Sequence, residues 1–121
     1  MRRALASRGA PACVVVAWLG LAVAARAATF NVSVTTDSVD ATPGDGACAD
    51  AAAACSLRAA ILEANALPGP DTVLLPAGTC ALTILGDDDL GAVGDLDVTE
   101  SLAIVGAGRD DSVIDAWGLR E

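Results

Sequence analysis

The chain has no lysine, no histidine and no tyrosine, and carries one phenylalanine and two tryptophans. Without histidine, its cysteines have no imidazole to join them in the usual zinc sets. Basic residues are scarce: seven arginines stand against sixteen acidic residues. So acidic a chain repels phosphates instead of releasing their counterions, which excludes nucleic acid as a partner. Anionic lipid and acidic polysaccharide are repelled too, unless cations bridge. No apolar run reaches the roughly 20 residues needed to cross a bilayer comfortably. What is present is alanine, glycine and enough valine, leucine and isoleucine for one small packed domain.

The first 27 residues differ from the rest. Arg2, Arg3 and Arg8 give a positive start, and "ACVVVAWLGLAVAA" from Ala12 to Ala25 is a 14-residue apolar stretch. "ARA" at Ala25–Ala27 puts small residues at the two positions a signal peptidase reads. This three-part pattern predicts a secretory signal over residues 1–27, cleaved after Ala27. The membrane would then be met only during export. Four of the seven arginines fall in that segment and none of the acids do, so the mature chain carries three arginines against sixteen acids, a formal charge of −13. Cys13 leaves with the leader. Cys48, Cys55 and Cys80 remain, in a compartment that permits disulfides. Three is odd, so at least one thiol lacks a partner within the chain.

In the mature part, "ATFNVSVTT" alternates, with Phe30, Val32 and Val34 on one face, and reads as a strand. A loop rich in Asp, Gly and Ala follows. "CSLRAAILEAN" (55–65) reads as an amphipathic helix: Ser56 is placed as N-cap, and Leu57, Ala60, Ile61 and Ala64 share a face at i, i+3, i+4, i+7 spacing. "LPGP" stops it. Short strands are then expected with starts near 72, 80, 96, 102 and 112, separated by Gly, Asp and Pro. Cys80, Leu82 and Ile84 share one face, Leu96 and Val98 another. Both a solenoid and a small β-sandwich fit such spacing, and periodicity does not separate them.

The segments "GDGACADAAAACSLRAAILEANALPGPDTVLLPAGT" and "GDLDVTESLAIVGAGRDDSVIDAWGL" resemble, in order, the CSLREA domain and the first coil behind it. That domain is the N-terminal segment of many secreted bacterial right-handed parallel β-helix (pectin-lyase-like) proteins. The resemblance covers about Thr29 to Leu119. It departs where the family has Glu and this chain has Ala59, and where the family has an aromatic residue and this chain has Cys80. The missing Glu removes the reciprocal half of a capping box.

The resemblance implies an all-β fold with one capping helix: residues 28–70 as cap, with disulfide loop and helix, and residues 71–121 as the first coils, incomplete. It implies that Cys48 and Cys55 tie the loop to the helix start. It also implies that Ser56, Leu57, Ala60, Ile61 and Ala64 set the helix across the open end of the first coil. The expected role is that of a non-catalytic structural cap of an exported, cell-surface or secreted protein. Its partners would be downstream β-helix coils of the same protein and, through them, an extracellular glycan or host surface. No cofactor is expected. The alternative is the N-terminal part of a β-helix polysaccharide lyase or glycoside hydrolase. For that chemistry Asp87, Asp88 and Asp89 are the candidate metal ligands, and Asp95 and Asp97 would share a strand face. A solvated acidic loop is the simpler reading of the same run, and no metal site is expected there.

Overall fold

The computed structural model describes residues 24–119, with Gly9 and Gly20. Most of residues 1–27, the expected secretory signal, lies outside the described residues. The order of elements is β1 (Thr29–Asn31), α1 (Leu57–Ala66), β2 (Asp71–Leu74), β3 (Gly78–Ala81), β4 (Leu102–Val105) and β5 (Ser112–Asp115), ending in a 3-10 turn at Trp117–Leu119. Among the described residues the regular structure is thus mostly short strands, with one α-helix. Among the described residues no helix is long and apolar enough to cross a membrane.

Every strand pairing is parallel. One sheet runs β1-β2-β4 and the other β3-β5. The registers align like residues in columns: Phe30, Val73 and Ile104 form one, and Cys80 and Ile114 another. The pairing continues past the strand ends. Leu75 N–H donates to Val105 O, Gly78 N–H to Asp111 O, and Leu82 N–H to Asp115 O. The chain therefore stacks in layers: residues 28–35, then β2 with β3, then β4 with β5.

The core lies between the sheets and α1. Phe30, Val32, Cys55, Leu57, Ala60, Ile61, Ala64, Val73, Leu75 and Cys80 form one buried cluster. Its apolar positions alternate along the strands, as one-sided burial requires. The thiol of Cys80 is free and buried, and burial pushes its pKa up.

Two expected strand features are absent. The first strand ends at Asn31, short of the alternating stretch: Val32 N–H still reaches Leu74 O, but Ser33 and Val34 turn their N–H groups to the carbonyl of Cys55. The strand expected near Leu96 does not form at all. Its backbone is held by side chains of α1 instead, so Val98 stays half exposed and Asp95 and Asp97 share no strand face.

Candidate functional site

The candidate site is α1 and the loops its polar side chains bind. Ser56 is its N-cap: its Oγ accepts from Ala59 N–H at 3.0 Å and donates to Ser38 O at 2.6 Å. Ala59 is completely buried, so a longer side chain at that position has no room without movement. The cap is completed by the Ser38 carbonyl rather than by an acidic partner in the first turn. At the other end, Leu67 N–H closes on Ala64 O and the chain leaves the helix in extended conformation.

Leu57, Ala60, Ile61 and Ala64 face the core as expected. The helix is nevertheless not a surface helix with one polar face: Arg58, Ala59 and Glu63 are buried as well. It packs against β2.

Each polar side chain of α1 holds a different piece of irregular chain. Arg58 Nε and Nη2 donate to the two carboxylate oxygens of Asp37 at 2.7 and 3.1 Å. Its Nη1 donates to Gly91 O at 2.8 Å and Asp95 O at 3.3 Å, and Nη2 to Gly94 O at 2.7 Å. Both side chains of this ion pair are fully buried. Asp37 Oδ2 also accepts from Thr83 N–H at 2.7 Å and Ile84 N–H at 3.0 Å. Burial alone would raise the Asp37 pKa, but the Arg58 bond and these two amides outweigh it and hold the carboxyl below its ordinary range.

Glu63 binds the opposite loop, accepting from Gly44 N–H at 2.6 Å and from Gly46 N–H. Both glycines have positive φ, 95° and 89°, which turns their amides toward one carboxylate as only glycine does without strain. Asn65 clamps the segment where a strand was expected: its Nδ2 donates to Asp97 O at 2.7 Å, and its Oδ1 accepts from Thr99 N–H at 2.9 Å.

The disulfide joins Cys48 to Cys55, with 5.1 Å between their Cα atoms. Within its loop, Asp50 accepts from Ala52 and Ala54 N–H and from Ser38 Oγ. Those bonds, led by Ala54, lower its pKa. Reducing the disulfide should cost about 2.5 kcal/mol, the chain-entropy value for an eight-residue loop. Urea unfolding with and without dithiothreitol measures it.

The backbone of Cys55 also bonds the chain just past β1. Val32 N–H points to β2, where Leu74 O accepts it; Ser33, one residue on, points the other way. There Cys55 O accepts from Ser33 and Val34 N–H, and Cys55 N–H donates to Ser33 Oγ at 3.0 Å.

The acidic run at 87–89 is in part turn chemistry. Asp88 Oδ1 accepts from Leu90 and Gly91 N–H at 3.0 and 2.8 Å. Desolvation pushes its pKa up, but those bonds and the neighbouring amides of Val93 and Ala92 bring it below the ordinary range. Asp87 and Asp89 are exposed. Among the described residues no group of three or more His, Cys, Asp or Glu side chains is placed to hold a metal ion. An open apolar groove is lined by Val39, Pro43, Leu62, Leu90 and Ala92, with Asp40, Asp89 and Asn65 among its other lining residues.

Sequence reasoning missed Arg58, Glu63, Asn65 and Asp37. A usable signal was present: Arg58 is the lone cation between Arg26 and Arg109, and it adjoins Ala59 and Ala60, whose small side chains admit close neighbours. No protein-family model, no curated protein and no solved structure matches the chain.

Proposed function

We propose that the chain is the exported N-terminal cap and opening coils of a right-handed parallel β-helix, a CSLREA-type segment. Its work is structural: to cover one end of the stack and offer the other end as a template. The observation that carries this reading is the difference between the two ends. In the first layer Phe30 and Val32 are buried, and the Cys55 backbone, held by the disulfide, takes the Ser33 and Val34 N–H groups just past β1. At the far end, among the described residues β4 pairs only with β2, and β5 only with β3.

Burial changes along the same columns. Val73 and Cys80 are 0% and 3% exposed, whereas Ile104 and Ile114, directly beyond them, are 41% and 44% exposed. Val105 and Val113 are exposed to a similar degree. A further coil stacked on β4 and β5 would bury this apolar surface and pair the open backbone, which otherwise invites edge-to-edge association. Paired residues lie 43 positions apart between β1 and β2, 31 between β2 and β4 and 34 between β3 and β5, all within the roughly 20–50-residue range of solenoid repeats. The right-handed sense follows from the general rule for parallel crossovers, about 98% of which are right-handed.

Further coils of the same polypeptide are thus the proposed partner. The long face they build would serve adhesion or glycan binding outside the cell. Pectin-like and alginate-like polymers, offered with and without calcium, test the functional half of this proposal. The chain is expected to show no turnover of either polymer. Cleavage abolished by changing Asp87, Asp88 and Asp89 to Asn would replace the structural reading with that of a polysaccharide lyase or hydrolase.

A further inference from the structure

Asp71 is an acid at a core position. It is 2% exposed and sits at the start of β2, on the inward face it shares with Val73 and Leu75. Its Oδ1 accepts from the backbone N–H of Ala28 at 2.7 Å. Its Oδ2 is buried, and among the described residues nothing donates to it. A buried carboxylate oxygen with no donor and no cation is costly, and native proteins keep few of them. The ion pair found among the described residues is that of Arg58 with Asp37, so Asp71 has no counter-charge there.

The residue that touches Asp71 is also the one that follows the expected cleavage point. Residues 24–27 are exposed and have no regular secondary structure, and Ala28 is half buried. Ala28 is held in register, with its carbonyl accepting from Thr72 N–H at 2.9 Å.

We propose that Asp71 is a built receptor for the α-ammonium group that processing creates at Ala28. The proposal rests on the reading of residues 1–27 as a cleaved leader. Hydrolysis of the Ala27–Ala28 amide by a signal peptidase consumes one water. Ala27 keeps the new carboxylate and Ala28 the new amine, which takes up a proton at neutral pH. One N–H donor thereby becomes three. One keeps Oδ1, a second comes within reach of Oδ2 on the same carboxylate, and the third meets solvent. A neutral hydrogen bond becomes a charge-assisted pair, and the orphaned oxygen is satisfied. The precursor lacks this pair, so the last element of stability arrives with cleavage, after the chain has crossed the membrane.

The absence of lysine makes the test clean: in the processed protein the α-amine is the single amine. The full chain is expressed with its leader in a bacterium, and the exported product is collected. Mass spectrometry first identifies its N-terminal residue. An N-hydroxysuccinimide acetate then labels the amine in native protein, in urea-unfolded protein and in the Asp71→Asn variant. Ala28 is expected as first residue, with native labelling slower by about tenfold or more, since each pKa unit gained by an ammonium lowers its free-amine fraction tenfold. Folded Asp71→Asn should lose that protection.

A chain that is not exported, or that still begins at Met1, overturns the export reading and this proposal together; a processed chain with another first residue overturns the proposal alone. Ala28 as first residue with equal rates in native and unfolded protein overturns the proposal alone. So does protection that persists in folded Asp71→Asn. Where that variant fails to fold, the native-against-urea ratio of the unaltered protein decides.

Discussion

Replacing Arg58 with methionine is expected to cost about 3–5 kcal/mol of folding free energy, the usual loss when one partner of a buried ion pair is removed. Methionine retains much of the length of the side chain, so the loss is of charge and donors more than of volume. Asp37 keeps the amides of Thr83 and Ile84 but loses its counter-charge. The carbonyls of Gly91, Gly94 and Asp95 lose their donors at the same time. Lysine does not rescue the site, because a single ammonium cannot span a carboxylate and three carbonyls as the guanidinium fork does. Adding Asp37→Asn to Arg58→Met should cost less than the sum of the two single changes, since the unpaired charge is then gone. Urea midpoints at constant m-value measure all three variants.

The same pair contributes to the acid limit of the fold, alongside Asp50 and Asp88, whose carboxyls are also held low. The folded-state pKa of Asp37 lies below its unfolded value. Its stabilisation is therefore fully present above the unfolded value of about 3.9 and is lost as pH falls through the folded value. Wild type should lose stability from about pH 4 downward, and Arg58→Met should lose much less over that interval.

Ile61→Ala is expected to cost about 2–5 kcal/mol, the range for emptying a packed aliphatic site. Ile61 is 1% exposed and belongs to the cluster with Phe30, Val73 and Cys80. The neighbouring Ala60 and Ala64 are too short to reach into the space left behind. Ile104→Ala supplies the contrast. It removes the same atoms from a side that is 41% exposed and should cost about 1 kcal/mol or less. Thermal and urea unfolding of the two variants, side by side, measure how far the core extends.

The sequence was most readable where one local signal decides the structure. The N-cap at Ser56, the apolar face of α1 and the stop at "LPGP" follow from spacing and backbone chemistry alone. The alternation at Phe30 and Val32 and at Cys80 and Leu82 identified buried positions in the same way. Legibility failed where a distant group competes with a local tendency. "LDV" alternates like a strand, yet Asn65 takes the Asp97 carbonyl and the Thr99 N–H, Arg58 takes the Asp95 carbonyl, and no strand forms there. Arg58 and Glu63 look like the solvated face of an amphipathic helix, because helical spacing contains no information about loops that fold over that face. Asp71 looks like a turn residue before a strand. Only its register beside Ala28 reveals that it is buried.

The central claim is that one end of the stack is covered and the other open. Sedimentation velocity across a range of concentrations, on the exported protein and on Ile104→Lys/Ile114→Lys, tests it most directly. The account predicts association that grows with concentration in the unaltered protein. It predicts a monomer with unchanged circular dichroism once both exposed columns carry lysine. An unaltered protein that stays monomeric at every concentration, or association that survives both lysines, would contradict it.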